Sequence, residues 1–429
     1  MAVAVKFVIA GILRYWLMHT EYWQTLANRV EIATPLNSWK RLTEGVYLYN
    51  NNINPYEGDA FHESPIMLLL FHFLLKQVPY LITAFFTILD LGTAFFLYKT
   101  SRAFVPFFKN AQERMKSGVA EESKTMLLTD NQLKEVPGYV LSIYLFNPYS
   151  VLNCVGSTTT VVQNFLLATS FWAAATGRGI LACVFIALAT HQALYPIQLI
   201  VPISILLADI NKGCTKCSYI QTLLGFVLCW GFLIYISAFI MDGSYQYVYN
   251  TYGFILSVPD LKPNIGLFWY FFTEMFEHFR LLFVCSFQIN ALILYVIPLT
   301  LRFKKEPVLL ATVLIALSAI FRSYPCVGDV AFYMALLPMW KHLSSFMQQK
   351  FIVGCAFIIT SVLGPTVWHL WIYSGSANAN FFFGVTLSFA TAQIFLITDL
   401  LFAYIKREFT LKHGSSREID GKPAKLVLR

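Results

Sequence analysis

Residues 264–279 read NIGLFWYFFTEMFEHF, seven aromatic side chains in sixteen positions, with Glu274, Glu277 and His278 among them. A soluble core rejects unpaired carboxylates, and so does the midplane of a bilayer. The place that suits both kinds of side chain is the membrane–water boundary, where rings meet acyl chains and carboxylates keep water. On a helix, Phe268, Phe272, Met275 and Phe279 share one face, and Tyr270, Glu274, Glu277 and His278 the other. The spacing of four lets Glu274 pair with His278. The expectation is an amphipathic helix lying at the boundary rather than crossing it.

The rest of the chain supplies the membrane. Of 429 residues, 57% are hydrophobic, 17% aromatic and only 13% charged, against roughly 25% charged in soluble domains. Mean hydropathy is +0.60. Apolar runs recur at the ~17–25 residues needed to cross ~30 Å of hydrocarbon. This pattern excludes a soluble enzyme and predicts an all-α, polytopic membrane protein. The first run, VKFVIAGILRYWLM, carries Arg14 and lacks a small-residue cleavage site, so it reads as a retained span. The net charge of +8 fits basic membrane-flanking loops, not nucleic-acid binding. Cys183, Cys229, Cys285 and Cys355 sit in apolar runs as small hydrophobes. Cys214 and Cys217 form a C-x-x-C without a second ligand pair, so neither a metal nor any cofactor is expected.

Sidedness follows from the basic clusters. Lys99–Glu135, Lys212–Lys216, Arg302–Glu306 and the tail from Lys406 belong on the cytosolic side by the positive-inside rule. Even numbers of spans must then separate them. We assign 137–153, 158–177, 179–194 and 196–210; then 218–240 and 281–301; then 307–321, 330–345, 351–373 and 380–405. The amino-terminal run and 83–100 bring the total to about twelve, while 64–80, interrupted by His72, Lys76 and Pro79, reads as an interfacial helix. The chain is thus one membrane domain, 1–405, with an outer loop at 20–63, a cytosolic loop at 99–136 and a cytosolic basic tail at 406–429. The aromatic stretch 264–279 falls on the outer side. Within spans, Asp90, His191, Gln192, Asn290 and Asp399 are costly polar groups; Asp90 and Asp399 read as interhelical hydrogen-bond partners.

The outer loop contains EGVYLYNNNINPYEGDAFHESP, in which Glu44, Gly45, Asn54, Pro55 and Tyr56 resemble the first luminal loop of multi-spanning glycosyltransferases that use dolichol-linked sugars. That resemblance implies a similar architecture and an alternative function as a dolichol-phosphate-sugar transferase. Such an enzyme needs a carboxylate to activate its acceptor, and Glu21 and Glu31 are the isolated acids available. A second resemblance covers the whole chain. FNPYSVLNCVGSTTT (Phe146–Thr160), the 263–279 stretch, SYPCVGDVAFYMA (Ser323–Ala335) and VWHLWIYSGSANANFF (Val367–Phe382) are similar to the class U subunit family of the glycosylphosphatidylinositol (GPI) transamidase. The resemblance implies a multi-pass endoplasmic-reticulum subunit of a hetero-oligomeric membrane complex. Its role would be to recognise and present the GPI glycolipid and to scaffold the complex, with the acyl-transfer chemistry in another subunit.

The residues agree with a non-catalytic division of labour. His19, His62, His278 and His369 form no Cys–His arrangement, and Cys326 reads as a small packing residue beside Pro325. A surface that presents a glycolipid needs an apolar groove for acyl chains and amides or hydroxyls for the head group. The segment SGSANAN supplies Ser374, Asn378 and Asn380 between two spans, next to Trp371. The aromatic stretch supplies Phe268, Phe272, Glu277 and His278, and Asn153, with Ser157 and Thr158, marks another outer turn. These are the candidate lipid-binding positions.

Overall fold

The computed structural model describes residues 2–211, 215–414, 418–419 and 422–423. Among the described residues the regular secondary structure is helical, apart from a two-residue antiparallel pairing of Glu418–Ile419 with Lys422–Pro423. In order, α1 is Ala2–Met18, α2 Trp39–Asn50, α3 Pro65–Gln77 and α4 Ile82–Met115. Then come α5 (Asp130–Phe146), α6 (Pro148–Val155), α7 (Thr160–Ala175), α8 (Gly179–Ala193), α9 (Ile200–Asn211) and α10 (Thr215–Ile240). A short α11 (Phe268–Glu274) precedes α12 (Glu277–Phe303), followed by α13 (Pro307–Phe321), α14 (Val327–Leu336), α15 (Lys350–Ile372) and α16 (Ala379–His413). Five helical segments, 79–113, 215–240, 277–303, 350–372 and 379–413, are long and apolar enough to cross a membrane. The other segments read as spans are helices of 10–17 residues. The interfacial segment 64–80 forms α3, 13 residues long, with Lys76 in its last turn and Pro79 just beyond it.

Three expectations need correction. The segment 137–153 is not one helix, because Pro148 forces Asn147 into an extended conformation (ψ 124) and ends α5. Asn147 then caps α6, its side chain accepting from the Tyr149 amide at 3.0 Å. The segment 330–345 passes from α14 into a tight 3₁₀ helix, Leu337–Leu343, at Pro338. The aromatic stretch is helical only over Phe268–Glu274; Met275 (ψ 145) and Phe276 (ψ 131) are extended and turn the chain into α12. Glu274 and His278 therefore do not lie one turn apart on a helix, and His278 rests on the Phe279 ring at 3.9 Å instead.

The break at Asn147 solves a problem posed by α1. Arg14 is fully buried, and its Nε meets Asp90 of α4 at 2.5 Å. Its remaining donors reach the Leu145 carbonyl at 2.9 Å and Ala10 at 3.2 Å. The Leu145 carbonyl is open to it because the helix has ended. The Tyr144 hydroxyl donates to the other Asp90 oxygen at 2.8 Å, so the buried pair is satisfied on both sides. Asp399 on α16 accepts the Gln348 and Gln349 amides at 3.0 and 2.9 Å, fixing the start of α15. Both aspartates thus tie elements together, as expected.

Loops gather at two opposite ends. At one end the 20–63 loop meets 241–279 and 323–327: Arg41 pairs with Asp260, His62 Nδ1 lies 2.9 Å from the Asn250 carbonyl, and the Val327 amide donates to the Glu31 carbonyl at 3.0 Å. At the other, Ala120 and Ser123 donate to the carbonyls of Leu411 and Thr410, and Arg302 pairs with Glu408. Between them, α4 runs along α7, α7 along α8, and α15 along α16. Alanines 173, 174, 182, 187 and 189 are buried at these crossings and allow close approach of the helices.

Candidate functional site

The candidate site lies at the end of the molecule where 20–63, α11 and the α15–α16 turn converge. After α15, the chain turns at Gly375 (φ +63), a left-handed conformation that suits glycine. The Asn378 side chain then caps α16, accepting from the Phe381 amide at 3.2 Å. Asn380 accepts from the Tyr270 hydroxyl of α11, which joins the two aromatic regions. Both amide oxygens are therefore engaged within the protein, both residues are exposed, and among the described residues neither NH2 group donates a hydrogen bond. The sequence offered these amides as donors and acceptors alike; the fold leaves the donors.

An aromatic wall stands behind them. Trp269 stacks on Trp371 at 6.4 Å, and Tyr270 on Phe383 at 4.5 Å; Trp368 and Phe382 complete the cluster. Trp269 is buried, and its indole N–H has no acceptor among the described residues. An open cavity of about 640 Å³ lies in the groove between α15 and α16, lined by the two asparagines together with Leu363, Phe381, Val385 and Ser388 among others. A second cavity of about 210 Å³ continues inward past Thr360 and Val385 to Tyr149, Phe389 and Ile265. Its polar rim is the ion pair Arg29–Glu31, closed by two contacts at 3.0 and 2.7 Å. The walls are almost wholly apolar and the donors sit at the rim. A groove of this shape is chemically suited to an apolar chain, with hydrogen-bonding side chains beside it for a polar group.

The structure brings together Trp371, Asn378 and Asn380, with Ser374 exposed on the adjoining turn. It separates the others. Phe268 and Phe272 point to the far side of α11, into a buried cluster with Phe254, Val258 and Tyr324. Glu277 and His278 are exposed at the start of α12. Asn153 is buried: it accepts from the Thr158 hydroxyl at 2.6 Å, and Gly328 packs so tightly against it that a Cβ there would stand 2.3 Å from its side chain. The residues missed in the sequence are Trp269 and Tyr270, hidden in a run where every position was aromatic.

The chemistry-bearing candidates are accounted for. Cys326 is buried against Thr160 (3.5 Å), and burial first, then Asp329, push its thiol up to about 12. A thiol so placed is not a nucleophile at neutral pH. Glu21 begins a six-residue helix and is exposed; Glu31 spends both oxygens on Arg29. The Gly45 and Asn54–Tyr56 elements are structural. A Cβ on Gly45 would lie 2.1 Å from the Phe61 ring, Asn54 accepts from the Tyr56 amide at 3.0 Å, and the Tyr56 hydroxyl donates to the Glu63 carbonyl at 2.8 Å. Cys214 of the C-x-x-C lies outside the described residues.

Residues 8–389 match the family model described as GPI transamidase subunit PIG-U. The chain is 41% identical to the human GPI-anchor transamidase component PIGU over 98% of each chain. It is 29% identical to the GPI transamidase component GAB1 of Saccharomyces cerevisiae over 90% of each, and 28% identical to the GAB1 homolog of Schizosaccharomyces pombe over 96% of each.

Proposed function

The chain belongs to the PIG-U family of GPI transamidase subunits, and on that premise we propose that it presents the GPI glycolipid to the transamidase without itself performing acyl transfer. The observation that carries this reading is a mainly apolar cavity of about 640 Å³ whose lining includes the exposed amides of Asn378 and Asn380. The donors meet the glycan, and the α15–α16 cleft takes an acyl chain. The buried, protonated Cys326 thiol supports a catalytic centre elsewhere in the complex. The engaged Glu31 and the exposed Glu21 give the glycosyltransferase reading no paired carboxylates to work with. We further infer about twelve crossings in the endoplasmic-reticulum membrane, with the 20–63 loop, α11 and the 374–378 turn luminal, and partner subunits against the exposed apolar helix faces.

The test is photo-crosslinking in the intact complex. A GPI analogue with a diazirine near the end of one acyl chain should label residues between Ile359 and Ser388. Labelling of other subunits alone, with this chain unmarked, would overturn the reading. Separately, the purified single chain should show no cleavage of a GPI-signal precursor.

A further inference from the structure

Across α11 from the amide pair, four cations converge on one loop. Arg41 of α2 pairs with Asp260 at 2.5 Å and donates to the Asp59 carbonyl at 3.3 Å. Arg280, at the start of α12, donates to the Val258 carbonyl at 2.7 Å and lies over the Phe272 ring at 5.6 Å. Lys40 and Lys262 are exposed beside them. Among the described residues, Arg41 is the one of these four in an ion pair. The charges that act on Lys262 are Arg41 and Lys40 against Asp260; with partial burial first, they push its ammonium below the ordinary lysine value.

This concentration of charge is costly. Lys40 and Arg41 stand in the first turn of α2, which contains no acid and where positive charge opposes the helix dipole. Like charges gathered at a rim repel unless an anion joins them. The loop that carries Lys262 is nonetheless held rigidly. Asn264 donates to the Lys262 carbonyl at 3.2 Å and accepts from the Gly266 amide at 2.7 Å, and Ile265 reaches into the inner cavity. The patch and the cavity are thus joined by three residues of chain.

We propose that Lys40, Arg41 and Lys262 form a phosphodiester-binding subsite for the same glycolipid, on the flank of α11 opposite Asn378 and Asn380. This rests on the glycolipid-presenting reading above. The cluster offers donors and positive charge on two elements, the requirement of a multi-oxygen anion. A head group then lies across α11, its hydroxyls at the amides and a phosphodiester at the cations. That phosphodiester is either the one joining the inositol to the lipid or one carried further out on the glycan.

The experiment uses the intact complex in nanodiscs, carrying Lys40→Gln with Lys262→Gln and leaving the Arg41–Asp260 pair in place. Three probes are compared: a GPI analogue with a phosphodiester on its glycan, the same analogue without it, and phosphatidylinositol with no glycan. The variant should bind the first roughly tenfold more weakly, with a shallower dependence on salt. Lys40→Arg with Lys262→Arg should bind as the unaltered protein does. A loss confined to the first probe assigns the glycan's phosphodiester, and equal loss on all three assigns the lipid's own; both support the subsite. Unchanged binding of every probe overturns it, as does loss of a partner subunit with lipid binding intact, which would make the patch a protein contact. If the unaltered complex binds neither analogue, the presenting function itself fails and this subsite with it.

Discussion

At Glu63 a carboxyl group is fully buried beneath the 20–63 loop, and burial raises its pKa from 4.5 to about 8. The Thr159 hydroxyl donates to one oxygen and offsets part of the shift; the other oxygen has no partner among the described residues. The sign follows from linkage. The folded-state value lies above the unfolded one, so stability is greatest below about 4.5, falls as pH rises towards about 8, and is level beyond. At pH 7 the group costs on the order of 3 kcal/mol. Glu63→Gln keeps an oxygen for Thr159 and removes the titration. It should raise the melting temperature at pH 7.5 and flatten the stability profile between pH 5 and 8. Melts in detergent across that range check this, and an unaltered slope would place the titrating group elsewhere.

Asn378 permits a cleaner separation of structure from binding. Aspartate caps helices as well as asparagine, whereas alanine costs ~1 kcal/mol at a cap. Asn378→Asp should therefore leave the melting temperature nearly unchanged yet weaken binding of the GPI analogue, because an anionic oxygen replaces the NH2. Asn378→Ala should lower both. Equal binding by the unaltered and Asp forms would reduce this residue to a cap. Here the sequence was informative about place and silent about use. The flanking aromatics marked an interface, but nothing in SGSANAN told which amide atoms the backbone would claim.

Elements were legible wherever apolar length alone decides, and less so where a helix stops. Each run read as a span is mostly helical, broken at Asn147 in one and at Trp340 in another, because a run of apolar residues in lipid has one way to satisfy its backbone. Asn147 was misread because Pro148 inside an apolar run bends some helices and ends others, and here the freed Leu145 carbonyl is wanted by Arg14. The aromatic stretch was misread because a helical face was drawn through Met275 and Phe276, where the chain turns. The α1–α4–α5 junction carries its own prediction. Asp90→Asn would leave the Arg14 guanidinium buried without a counter-charge, at a cost of roughly 3–5 kcal/mol. Replacing both, as Arg14→Met with Asp90→Leu, should recover much of that loss. Thermal melts of the three forms decide it, and a double variant no better than Asp90→Asn would show that the polar network, not the charge balance, holds the junction.

For the whole molecule, contacts between loops bring the basic stretches around Ala120, Arg302 and the tail from Lys406 to one end. Lys109 pairs with Asp130 and Arg302 with Glu408 at one end, while Arg41 pairs with Asp260 at the other. The presenting function requires the second end to be luminal. The chain contains no Asn-x-Ser/Thr sequence, so acceptors can be introduced one at a time. Ile53→Thr creates one at Asn51, on an exposed turn next to α2; Glu121→Asn creates one at 121, in an exposed position of the opposite end. Glycan transfer occurs only in the lumen. Ile53→Thr should add an endoglycosidase-sensitive mass and Glu121→Asn should not. The reverse pattern would turn the amide donors and the cation patch towards the cytosol, and no lumenal lipid could reach them.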